Sequence, residues 1–229
     1  MPEQRDDLLA GRQAKAGIVN SPSVVVGSIA ILALIHVLRM AFGENWDNWS
    51  IYAFAFIPAR LGGSEPVPMI PGSQWWSFLT YAFLHADWLH LGLNSLWLLI
   101  FGTPVARWFG AWRFLVISAV CAIGGAAMMA ATDWGSPIPV IGASGAISGL
   151  MAAAIPIMYG HGRPLLPSEL MRDRRALIFI VIWLGITLLT GAQGFVDDDG
   201  LRIAWQAHLG GFIAGFIIYA AMIHSDVRV

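Results

Sequence analysis

The sequence predicts an all-α polytopic membrane protein with six transmembrane helices and both termini in the cytoplasm. Three observations carry that expectation. The chain of 229 residues is 57% hydrophobic and only 12% charged, against ~25% charged in ordinary soluble domains. Six apolar segments each approach the ~20 residues needed to cross a bilayer. The basic residues, finally, collect on one side of the topology those segments define.

The first segment, 22–42, follows a polar tail of mixed charge, residues 1–21, that lacks the layout of a signal peptide, so it is expected to be retained as a span. The others lie at about 78–101, 113–132, 142–160, 175–193 and 205–223, and residues 224–229 form a short C-terminal tail. Arg5, Arg12, Lys15, Arg107, Arg113, Arg163, Arg172, Arg174, Arg175 and Arg228 fall on one side, leaving only Arg39, Arg60 and Arg202 of the 13 basic residues for the other. The richer side is cytoplasmic by the positive-inside rule. The acidic run Asp197 to Asp199 then lies outside. Residues 22–223 read as one membrane domain, and 43–77 as an interfacial loop. That loop holds Trp46, Trp49, Trp75, Trp76 and the apolar run Ile51 to Ile57, and aromatic side chains gather at the headgroup level.

Composition excludes several function classes. A net charge of −1 with no basic stripe argues against a nucleic-acid partner. The single Cys121 rules out intrachain disulfides and Cys-cluster metal sites. No H-E-x-x-H zinc motif occurs, and no two aspartates sit in separate spans. A transporter would be expected to show internal repeats and interrupted helices, and none is evident.

Polar groups at membrane depth are costly and call for a reason. In span one, Arg39 is expected to snorkel to the outer surface and His36 to sit at the interface. Span two carries His85, His90 and Asn94. His90 and Asn94 are four apart and share a helix face, whereas His85 and His90 lie roughly 140° apart around the axis at ~3.6 residues per turn. Ser144 stands where the Pro-containing stretch Ser136 to Pro139 gives way to an apolar run. It therefore sits at a helix start, where backbone N–H groups lack intrahelical acceptors. A hydroxyl beside such donors is half of an acyl-transfer site.

Gly145 and Gly149 in span four match Gly211 and Gly215 in span six as small-residue surfaces for close helix contact. Taken alone, these glycines need mean nothing more than packing. His208, however, lies one turn before Gly211, and both Ser144 and His208 sit near the outer ends of their helices. Close packing of spans four and six would bring an imidazole to the serine. A serine needs a base, and Lys15, the only lysine, is in the tail. The result is a Ser144–His208 dyad without an acidic orienter.

With these residues the sequence resembles the rhomboid family of intramembrane serine proteases. The matching positions are Gly142-Ala143-Ser144-Gly145, Ala207-His208-Leu209-Gly210-Gly211 with Gly215, and His85, His90 and Asn94. The resemblance implies that Ser144 is the nucleophile and His208 the general base. It also implies that His90 and Asn94 stabilise the oxyanion with the Ser144 N–H, and that His85 has a supporting role. Trp183 resembles an aromatic lining the route by which substrate reaches the site. Two positions depart from the family pattern: Trp76-Ser77 replaces a frequent Trp-Arg in the first loop, and Ser148 replaces an aromatic that often stacks on the catalytic histidine.

The expected function is an endopeptidase of the bacterial plasma membrane that cuts single-span membrane proteins near the outer surface and needs no cofactor or metal. Its partners are those substrates and the lipid bilayer. Hydrolysis needs water, so a cavity open to the outside is expected, with Ser144 and His208 at its floor. The competing reading is a non-catalytic rhomboid-like protein that binds or retains transmembrane helices.

Overall fold

Among the described residues the apolar runs are mainly helical, because a chain that cannot hydrogen-bond to solvent must satisfy its backbone internally. The computed structural model describes residues 20–62, 67, 69–192 and 204–227. The expectations for the N-terminal tail through residue 19, for Asp197 to Asp199, and for Arg202 and Arg228 lie outside the described residues. Among the described residues there is no β-strand, only an isolated bridge between Phe56 and Val140.

Helix α1 (Ser23–Ala41) starts directly after Pro22, which cannot extend a helix backwards. It buries Val25, Leu32, His36 and Arg39 along one stripe, while Val26, Ile31, Leu34 and Val37 point outward. After Gly43 comes α2 (Glu44–Phe54), with Glu44 and Asp47 in its first turn, where negative charge favours the helix dipole. A 3₁₀ turn, Pro58–Leu61, follows, and then α3 (Ser73–Thr80).

The apolar run expected as a single span over 78–101 is broken. After α3 and a 3₁₀ turn, Tyr81–Phe83, residues 84–87 leave helical geometry before α4 (Trp88–Trp97) begins. The Asp87 carboxylate causes the restart by accepting the His90 N–H at 2.7 Å, an N-cap that favours starting a helix there. From α4 the chain passes through one π-turn, Leu98–Gly102, into α5 (Thr103–Thr132). Helix α5 bends sharply at Gly110, whose φ of 84° only glycine adopts readily. That turn separates two apolar limbs and is flanked by the exposed Trp108 and Trp112.

Helix α6 (Ser144–Met158) is the centre of the bundle, with every residue from Gly145 to Pro156 buried. A one-turn helix α7 (Pro167–Leu170) leads to α8 (Arg174–Ala192), and α9 (Trp205–Val227) ends the described chain. By length and composition Ser23–Ala41, Trp88–Thr132 and Trp205–His224 are apolar enough to cross a membrane, and Ser144–Met158 is apolar but shorter.

The glycine faces foreseen on spans four and six meet as expected. A Cβ on Gly211 would overlap the Gly145 carbonyl, and one on Gly215 the Gly149 carbonyl. The same closeness joins α5 to α9, where a Cβ on Gly210 would strike the Gly124 carbonyl oxygen. At the opposite end from Ser144, Arg107 donates to the Asn20 carbonyl at 2.9 Å, and Tyr219 donates to the Leu165 carbonyl at 2.6 Å.

The connection between α6 and α8 is held by an exposed clasp. Arg163 binds both carboxylate oxygens of Glu169, at 2.7 and 2.6 Å, and Leu166 N–H adds a bond of 2.8 Å. These donors, the guanidinium first, draw the Glu169 pKa from 4.5 down to about 2. Because the folded value is the lower one, the clasp is complete above the ordinary carboxyl range and is lost only as pH falls through about 2. A carbon-13 titration of the Glu169 carboxyl should show that midpoint, and Arg163→Gln should return it toward 4.5.

Candidate active site

Ser144 is the first residue of α6, and the loop before it is fixed at several points. Val140 and Phe56 exchange backbone bonds of 2.8 and 3.1 Å, and Gly142 N–H donates to the Tyr81 carbonyl at 3.0 Å. Gly142 has φ 120° and no room for a side chain, since a Cβ would lie 2.8 Å from His90 Nε2. Helix α6 makes its first bond from Ile147 N–H to the Ala143 carbonyl, so the Ser144 N–H has no acceptor within its own helix.

The structure brings Ser144 and His208 together, with Nε2 of His208 2.9 Å from Oγ of Ser144. They belong to different helices, 64 residues apart in sequence, and the glycine contacts described above close the gap. Asn94 is buried on α4 and donates one amide N–H to the His90 carbonyl at 2.9 Å. It lines the same cavity as Ser144 and His208. His90 lies at the edge of the site, its ring against Gly142.

His85 is elsewhere. It lies in the non-helical link before α4, fully buried, with its ring edge-on to His90 at 5.1 Å between centroids. The angular separation expected from a shared helix therefore does not apply. Among the described residues no group of three His, Cys, Asp or Glu is placed to hold a metal ion.

The cavity holds about 450 Å³, in the range of small-molecule sites. Its walls come from α4, the π-turn, α6, α8 and α9, and are mainly apolar: Trp97, Phe101, Met151, Phe179 and Trp183 with Ser144, Ser148 and His208. Its rim includes Trp97, Ile182 and Ile186, each about half exposed. The cavity thus opens sideways, between α4 and α8. Trp183 stacks on Phe212 of α9 at 4.6 Å. The site that an aromatic would fill at Ser148 is part of the cavity floor.

Two ionisable residues of α1 differ from their expected placement. Arg39 does not snorkel; it is 3% exposed and bonded inward to Ser50 Oγ at 3.0 Å and the His85 carbonyl at 2.6 Å. His36 is buried too, edge-on to Trp88 at 4.6 Å. Helix α2, the link before α4 and Trp88 supply the groups that face these side chains, which are protein and not solvent. The interfacial loop is anchored without an arginine at Ser77. Trp76 Nε1 donates to the Ala53 carbonyl at 2.7 Å, Thr80 to that of Phe54 at 2.8 Å, and Arg60 to that of Tyr52 at 2.8 Å.

Sequence reasoning did not find the cavity walls at Trp97, Phe101 and Phe179, or the tie between Gly142 and Tyr81. The wall residues are apolar side chains among many others, and no local spacing distinguishes them. Gly142 did carry a signal, in its place just ahead of the serine.

Apolar helices around a cavity that holds a hydrogen-bonded serine–histidine pair define an integral membrane protein. The chain belongs to the rhomboid family, whose domain model matches residues 72–225. It is similar to rhomboid protease GluP of Bacillus subtilis, 29% identical over 213 residues. It is also similar to rhomboid protease GlpG of Serratia proteamaculans, 23% over 199 residues, and of Yersinia pestis, 25% over 218 residues. These matches take in 92%, 85% and 95% of this chain but only 37%, 61% and 67% of the three relatives.

Proposed function

We propose that the chain is an intramembrane serine endopeptidase. The observation that carries this reading is the 2.9 Å approach of His208 Nε2 to Ser144 Oγ on the wall of a cavity. His208 takes the proton from Ser144 as the hydroxyl attacks a substrate carbonyl, and returns it to the leaving amine. The oxyanion is held by the Ser144 N–H, by Asn94 and by His90. Water then hydrolyses the acyl-enzyme with His208 again as base. No cofactor or metal takes part.

Six spans with both termini cytoplasmic fit this reading, with residues 22–223 as one membrane domain. Asn20 and Arg107 meet at one end of the bundle, and so do Tyr219 and Leu165, the side the basic residues favour. Ser144 starts α6 roughly 22 Å from its other end at ~1.5 Å per residue, short of a ~30 Å hydrocarbon core. The nucleophile is therefore sunk below the outer surface. Substrates are single-span membrane proteins whose helix unwinds near that surface, reaching the cavity between α4 and α8. The bacterial relatives fit a bacterial plasma membrane.

The test is cleavage of single-span model substrates by the purified protein in vesicles, together with labelling by a fluorophosphonate. Labelling of native protein that disappears in His208→Ala supports the dyad. A native chain that binds transmembrane helices yet neither cuts nor labels would instead favour the non-catalytic reading. Within the active protein, Asn94→Ala should lower kcat by ~10²–10³, the usual cost of one oxyanion donor, while KM changes little.

A further inference from the structure

We propose that Arg39, on α1, is a positioning residue that holds His90 as an oxyanion donor through the peptide unit joining His85 to Ala86. The inference rests on the serine-protease reading above and adds to it a residue outside the serine, histidine and asparagine already placed.

The Arg39 guanidinium donates from one terminal nitrogen to the His85 carbonyl oxygen at 2.6 Å. The N–H at the other end of that same amide, Ala86 N–H, donates to His90 Nδ1 at 3.4 Å. A peptide unit is planar and conjugated, so a cation bound at its oxygen polarises its N–H, and hydrogen bonds in series strengthen one another. The first bond is short and charge-assisted. The second is long, and the polarised N–H strengthens it. While Nδ1 accepts, a neutral imidazole carries its proton on Nε2. That nitrogen faces the reaction site: a Cβ built on Gly142 would lie 2.8 Å from His90 Nε2 and 3.8 Å from Ser144 Oγ. The tautomer that makes His90 a donor toward the oxyanion is thus fixed from behind.

Arg39 is itself held on its other donors. Its second terminal nitrogen is 2.6 Å from an Asp47 carboxylate oxygen, and its Nε donates to Ser50 Oγ at 3.0 Å. Ser50 in turn donates to the Asp47 carbonyl at 2.7 Å. A guanidinium meets three directions at once; an ammonium is a point charge with no fixed fork. Helix α2 of the first loop therefore bears on the chemistry through one buried cation, although it does not touch substrate.

The test uses the full chain in lipid vesicles with nitrogen-15 histidine. In native protein the His90 signals should show a bare Nδ1 and a protonated Nε2. Arg39→Gln should give mixed tautomers and lower kcat about tenfold, less than removing an oxyanion donor outright, with KM unchanged. Arg39→Lys should recover part of both. Should Arg39→Gln not fold, the double variant Asp47→Asn with Ser50→Ala removes the groups that hold the cation, and the same spectral change is expected. A folded variant whose His90 spectrum stays native overturns the proposal, whether kcat falls or not, since a merely structural role would leave the tautomer alone. Absence of cleavage in the native chain would strike the protease reading, whereas the His90 spectrum reports on this inference without any turnover.

Discussion

Ser144→Ala is expected to abolish proteolysis, lowering kcat on the order of 10⁴–10⁶-fold, the loss seen when the nucleophile of a serine protease is removed. The Oγ that lies 2.9 Å from His208 Nε2 is the only atom lost. Cavity walls, Asn94 and His90 all remain, so substrate should still bind and KM should stay near its native value. Fluorophosphonate labelling should vanish with the hydroxyl. His208→Ala should cost nearly as much, because a nucleophile and its base act as a unit and their losses do not add. A double variant no worse than either single one is the corollary. The measurement is single-turnover cleavage in vesicles, which separates chemistry from substrate binding. Retention of more than about one part in a hundred of native turnover by Ser144→Ala would remove the serine from the proposed mechanism, since oxyanion stabilisation and binding alone leave far less.

The long apolar runs were legible because length and hydropathy are properties of the chain itself. Helices Arg174–Ala192 and Trp205–Val227 begin within a residue of the expected 175 and 205. The approach of Ser144 to His208 could be foreseen because two glycine pairs at matching intervals and two polar groups at similar depth pointed the same way. The break at residues 84–87 could not be, because Leu84 and Ala86 are as apolar as the helices around them and only Asp87 marks the restart. Arg39 was misplaced for a different reason: its partners Asp47, Ser50 and the His85 carbonyl come from other segments, up to 46 residues away. A residue that would snorkel on an isolated helix is buried once a folded loop offers it a carboxylate and a carbonyl. The same holds for the cavity, whose opening between α4 and α8 is a property of two helices that no sequence interval connects.

Gly211→Leu is expected to be the most damaging substitution outside the reacting groups. On α9 this glycine faces the backbone of α6 with no gap, since a Cβ there would overlap the Gly145 carbonyl and crowd the Gly145 Cα at 3.2 Å. Ordinary overpacking costs about 1–3 kcal/mol because neighbouring side chains can shift. Here the obstacle is main chain in the helix that the rest of the bundle surrounds, and its residues Gly145 to Pro156 are all buried. The two helices must separate, so a loss at or beyond ~3 kcal/mol follows. Separation also pulls His208, one turn earlier on α9, away from Ser144 at the start of α6. Displacement by ~1 Å at a reacting pair can cost about 10²-fold in rate, so labelling should fall even in the fraction that remains folded. Gly185 on α8 supplies the contrast, because nothing lies within 4 Å of a Cβ built there. Gly185→Ala should therefore leave both unfolding and labelling as in the native chain, apart from the few tenths to ~1 kcal/mol that alanine adds to helix stability. Unfolding midpoints in mixed micelles, read beside labelling of Ser144, distinguish the two substitutions. If Gly211→Leu unfolded and labelled as Gly185→Ala does, the glycine contact between α6 and α9 could not be what brings the serine and the histidine within bonding distance.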